Sequence, residues 1–114
     1  MYSNPQKLSS NEVIDLRREA GQWLKHLREK RGFSQRKMAD CVGAQYYTFV
    51  SQIEAGRGRI PPDRYEAWAE ALGVEPKFFV RTLLRYYDPV TYKILFRDEH
   101  DGYEQPACSS ATVS

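Results

Sequence analysis

GAQYYTFVSQIEAGRGRIPP, residues 43–62, decides how the rest of the chain is read. Tyr46, Phe49, Val50 and Ile53 recur at i, i+3, i+4 and i+7, which predicts a helix over 46–55 with these four as its buried stripe. Thr48, Ser51, Gln52 and Ala55 then fall on the opposite side, so hydrogen-bonding groups and small residues line the outward face. Gly43 stands where a chain reversing between helices needs a positive φ. The loop GRGRIP closes the helix with two arginines, and Pro61 refuses to continue it.

The same alternation of short helices and stops extends in both directions. Upstream, Ser34 caps QRKMADCV, whose inner side is Met38, Ala39 and Val42. Before it, Ser9 and Glu12 have capping-box spacing, and Val13, Leu16, Ala20, Trp23, Leu24 and Leu27 recur on one helical face. Gly21 is a candidate break, giving a short leading helix and a main one over 21–31 that Gly32 ends. Downstream, Pro62 starts a helix burying Tyr65, Trp68, Ala69 and Leu72, and Pro76 starts another over PKFFVRTLLRYY. The last segment, VTYKILF, alternates as a strand would, yet its Asp88-Pro89 start favours a helix. The expected fold class is all-α.

Two short helices joined around Gly43 make a helix-turn-helix, in which the second helix enters the major groove and the first crosses the backbone. The residues around them resemble the lambda-repressor/Cro-type helix-turn-helix regulators, the xenobiotic response element family. Arg28 and Gly32 near the first helix's end, Ser34-Gln35 opening the second, Met38-Ala39, Gly43, SQIEAG, Pro61 and ALGV carry the match over about 21–75. One departure is visible: Glu54 lies eleven residues beyond Gly43, one more than the family's usual spacing. The added residue falls in AQYY, in the turn or at the front of the third helix.

The resemblance implies a five-helix lambda-repressor-like DNA-binding domain with an N-terminal helical extension and a C-terminal helical dimerisation segment. Composition and residue pattern outside the matched stretch divide the chain into an expected disordered N-terminus (1–8), the DNA-binding domain with its leading helix (9–75), a dimerisation segment (76–96) and a flexible acidic and polar tail (97–114). The resemblance implies that Tyr47, Thr48, Ser51 and Gln52 read bases, with Gln45 and Tyr46 as alternates set by the added residue, although Tyr46 also belongs to the apolar stripe. Gln35, Arg36, Lys37, Arg57 and Arg59 are the phosphate candidates. Glu54 is unsuited to a phosphate surface, and the resemblance implies that it pairs with Arg28 instead.

The C-terminal helices carry more apolar side chains than one face can hold. Phe79, Leu83 and Tyr86 are expected to cover the domain, leaving Val80, Leu84 and Tyr87, with Tyr92 and Phe96, for a homodimer interface, or for VTYKILF to fold back over within the same chain, and the two are compatible. The expected partner is double-stranded DNA with paired half-sites. An antitoxin or co-regulator of the same fold, whose aromatic surface binds a protein, is the alternative.

Composition sets the outer limits. The 114 residues suit one domain with a modest core, and no apolar run spans a bilayer. The start lacks the order of a secretory signal, so a cytoplasmic, nucleoid-associated protein is expected. Two distant cysteines and two histidines without metal-ligand spacing give no metal or cofactor site, and no nucleophile–base pair points to an enzyme. The net charge of +2 is uneven. Residues 17–37 set eight basic side chains against two acidic, a net of +6, while 97–104 set one against four, a net of −3. A basic front suits a polyanion, though taken alone such a run is more simply a solvated helix face.

Overall fold

The computed structural model describes residues 9–96; the expected disordered start and the acidic tail, with Cys108 and His100, lie outside the described residues. Six α-helices follow one another: α1 (Ser10–Lys30), α2 (Gln35–Val42), α3 (Tyr47–Glu54), α4 (Tyr65–Leu72), α5 (Pro76–Tyr87) and α6 (Pro89–Phe96), with a 3₁₀ turn at Pro62–Arg64 leading into α4. There is no strand among the described residues. None of their helices is long and apolar enough to cross a membrane.

Local chemistry sets the boundaries. The capping box forms as its spacing predicts: the Ser9 hydroxyl accepts from Glu12 N–H while the Glu12 carboxylate accepts from Ser9 N–H. The Ser34 hydroxyl takes the Lys37 N–H at α2. At α5 the cap is the Glu75 carboxylate, which accepts from Phe78 N–H with Pro76 in the first turn. Asp88 settles the ambiguous last segment as a helix, because its carboxylate accepts from both the N–H and the hydroxyl of Thr91. Gly43 ends α2 at φ 73°, the left-handed conformation expected of it.

One core joins the first five helices. Leu24 of α1, Met38 and Val42 of α2, Val50 and Ile53 of α3, Trp68 and Leu72 of α4, and Phe79 and Leu83 of α5 are all buried in it. Since Phe79 and Leu83 share that core, α5 is a full member of the bundle. Trp23 of α1 stacks on Phe79 at 5.6 Å and approaches Tyr86 at 6.3 Å, which lays α5 along α1. α6 folds back on α5 through rings under guanidinium groups, Phe96 beneath Arg81 at 4.7 Å and Tyr92 beneath Arg85 at 5.8 Å.

Two expectations for α1 are corrected. The helix is continuous through Gly21, with no break into leading and main parts. Gly21 is there for close approach: a Cβ at this position would lie 2.2 Å from the carbonyl oxygen of Glu54. The second correction concerns Val13, placed by its spacing on the buried face but exposed in the structure. Burial on α1 begins only at Ala20, so its first turns project past the helices that cover the rest.

Candidate nucleic-acid interface

α2 and α3 meet across a turn of residues 43–46, and α3 begins at Tyr47. Tyr46 is therefore its extended N-cap residue rather than part of the helix, and it is 64% exposed. The buried face of α3 is Val50, Ile53 and Glu54. This overturns half of the predicted stripe, because Phe49 is 37% exposed as well. The reason is Glu54. A carboxylate that must face inward rotates the buried arc by about one residue, away from Phe49.

What draws Glu54 inward is a complete set of donors. Arg28 donates from Nε at 2.6 Å and from Nη2 at 3.1 Å, and the Gln35 amide donates at 3.0 Å. The remaining Nη1 of Arg28 donates to the Phe33 carbonyl at 2.7 Å. The bonds it donates to Glu54 hold the Arg28 pKa above the ordinary arginine value, against the opposing effect of desolvation. The expected Arg28–Glu54 pair is thus present and buried, and it locks α1, the start of α2 and the end of α3 together. Gln35, a phosphate candidate, points its amide into this network.

With Glu54 buried, the outward surface of α3 carries no charge. Thr48 and Gln52, one turn apart, form its exposed ridge, with Ser51 half-buried beside them. Tyr47, 41% exposed, makes one shoulder of the ridge. Phe49 makes the other and faces a groove of about 770 Å³, whose walls include Gln45, Tyr46, Gln52, Asp63 and Arg64. Periodicity concealed Tyr46 and Phe49 as surface residues. Arg64 was not singled out either; its Nη1 donates to the Val42 carbonyl at 2.8 Å and fastens the 3₁₀ turn to the end of α2.

The cations divide into exposed and committed. Arg36 lies over the Tyr47 ring at 4.7 Å, bridging the first turns of α2 and α3, while Lys37 and Arg57 are exposed at opposite ends of the surface. Arg59 is engaged within the fold instead: it donates to the Tyr65 hydroxyl at 3.0 Å and covers the Tyr87 ring at 4.6 Å. Arg31 likewise donates to the Ala71 carbonyl at 3.2 Å and lies over Phe33. The basic run 17–37 is therefore no single face, since Arg28 and Arg31 hold helices together.

The C-terminal residues assigned to a dimer interface are also used internally. Val80, Leu84, Tyr87, Tyr92 and Phe96 are half-buried, and the exposed large apolar side chains at this end are Phe78, Ile94 and Leu95. Tyr87 accepts from the buried Ile60 N–H at 3.2 Å, and burial raises its phenol pKa above the ordinary tyrosine value. A raised phenol pKa contributes stability that is present below the ordinary tyrosine range and lost as pH rises through the folded-state value. Replacing Tyr87 by Phe strands that N–H and is expected to cost about 1–2 kcal/mol at neutral pH. Urea unfolding at neutral and strongly alkaline pH should show the wild-type advantage shrinking as the phenol ionises; a constant difference contradicts this role.

A family model described as a helix-turn-helix domain matches residues 19–77, just over half of the chain. No curated protein matches it.

Proposed function

This chain belongs to the helix-turn-helix domain family, and on that footing we propose that it is a sequence-specific regulator that binds double-stranded DNA with α3 in the major groove. The observation that carries the reading is the uncharged, solvent-facing ridge of Thr48 and Gln52 on the second helix of the motif, with exposed cations beyond both ends. A base-reading helix needs hydrogen-bonding side chains free of partners in the unbound protein, and α3 offers them.

Roles follow from position. Thr48, Ser51 and Gln52 read base edges, with Tyr47 beside them and Gln45 at the approach. Arg36 and Lys37 meet the phosphates at the front of α3, and Arg57 meets them past its end. Gln35 contributes by holding Glu54 and Arg28 in place, and Arg59 by bracing the loop against α5. The protein acts as a homodimeric repressor, with Ile94 and Leu95 of α6 and Phe78 as the apolar surface for a second copy. Two-fold symmetry then sets half-sites about 10 bp apart, one helical turn of DNA.

Selection of bound fragments from random duplex DNA tests the proposal. Enrichment of a paired, inverted half-site is expected. Binding with no sequence preference, at a level that salt abolishes, contradicts base reading.

A further inference from the structure

We propose that the half-site core is made of A·T pairs read largely through thymine methyl groups, with Phe49 and Tyr47 as the specificity-determining side chains. This rests on the DNA-reading role proposed above and names the class of sequence it selects.

α3 lacks the side chains that usually read guanine. Guanine is read most often by Arg or Lys forking onto its O6 and N7. Among Tyr47–Glu54 the only charged residue is Glu54, buried and paired with Arg28. The nearby cations are engaged or lie past the helix: Arg36 over the Tyr47 ring, Arg64 in the groove wall but donating to the Val42 carbonyl, and Arg57 beyond the helix end. No basic side chain of the helix itself can reach a guanine edge.

α3 carries instead the apolar and amide groups that suit an A·T pair. Thymine alone among the four bases presents a methyl group in the major groove, and an apolar side chain is its natural contact. Two aromatic shoulders flank a ridge of Thr48 and Gln52, so a methyl beside an adenine edge meets a ring and an amide together. Gln can pair with adenine through both N6 and N7, and the Thr48 methyl extends the apolar strip. A G·C pair in the same place would set a polar edge against the Phe49 ring where the ring favours a methyl, so discrimination arises from exclusion as well as attraction.

The test compares the enriched duplex with one in which deoxyuridine replaces thymine in the half-site cores, a change that removes only methyl groups. The full chain should lose about fourfold in affinity per contacted methyl, and roughly tenfold or more over paired half-sites. Phe49→Ala should bind the thymine duplex more weakly and show a diminished difference between the two, while Tyr47→Phe should keep the difference. The wild-type comparison needs no variant, so a poorly folded Phe49→Ala does not spoil it. Equal wild-type affinity for both duplexes, or an enriched core dominated by G·C pairs, overturns this inference and leaves the regulator reading standing. Failure to enrich any duplex overturns both.

Discussion

Replacing Glu54 with Ala is expected to cost about 3–5 kcal/mol, because it leaves the Arg28 guanidinium buried without its carboxylate. Both residues are nearly inaccessible, at 7% for Arg28 and 8% for Glu54. Solvent therefore cannot take over as the partner, as it does for surface pairs. For a domain whose whole stability is about 5–15 kcal/mol, this is a large fraction, and the melting temperature should fall by well over 10 °C. Two of the three donors to the carboxylate belong to Arg28 and the third to Gln35, so the loss loosens three helices at once. Calorimetric or urea unfolding measures it directly. The double variant Arg28→Met/Glu54→Leu should recover most of the loss, since an apolar pair of similar volume removes the stranded charge. A single variant costing less than about 0.5 kcal/mol, the level of an ordinary surface change, contradicts the buried network.

Gly21→Ala is the second large effect, and local propensity predicts the opposite sign. In a helix interior Ala is favoured over Gly by about 1 kcal/mol, so propensity alone predicts a more stable protein. Packing reverses the outcome. The new Cβ would sit 2.2 Å from the Glu54 carbonyl oxygen, 2.6 Å from its carbonyl carbon and 2.8 Å from the Ile53 oxygen. All three are backbone atoms, which cannot rotate aside, so α1 and α3 must move apart. Overpacking of this kind costs about 1–3 kcal/mol and at times more, which outweighs the propensity gain. The same displacement shifts α3 against α2, so affinity for DNA should fall even well below the melting temperature. Gly58→Ala is the control, because its Cβ would stand 3.9 Å from the nearest atom, Ile53 Cγ1, and should be nearly neutral. A raised melting temperature for Gly21→Ala would mean that the two helices are not in backbone contact.

These two sites also mark where sequence reading succeeds and where it stops. Caps are local, and so they are legible: Ser9, Ser34, Gly43 and Asp88 each do in the structure what their spacing implies. The Arg28–Glu54 pair became visible only through resemblance to a family, because no rule of spacing connects residues 26 positions apart. Gly21 read as a break because a glycine in a helical pattern gives no sign of the neighbour that requires it. Tyr46 and Phe49 read as core because periodicity assumes that apolar side chains face inward. The inward arc of α3 is Val50, Ile53 and a carboxylate, Glu54, and the aromatic rings are left on the surface. The residues expected at a dimer interface are also used inside the chain, for a related reason. Arginines of α5 and the Ile60 N–H claimed the rings of α6 and Tyr87 within the chain, which one helical wheel does not show.

Gln52 and Thr48, on the outward ridge of α3, are the residues proposed to read base edges. The most direct measurement carries out the duplex selection with wild type and Gln52→Ala side by side. The variant's enriched sequences should keep the half-site spacing but lose preference at one base pair in each half, with affinity for the wild-type consensus falling by about 1–3 kcal/mol. An unchanged consensus from Gln52→Ala, with affinity also unchanged, would contradict that role.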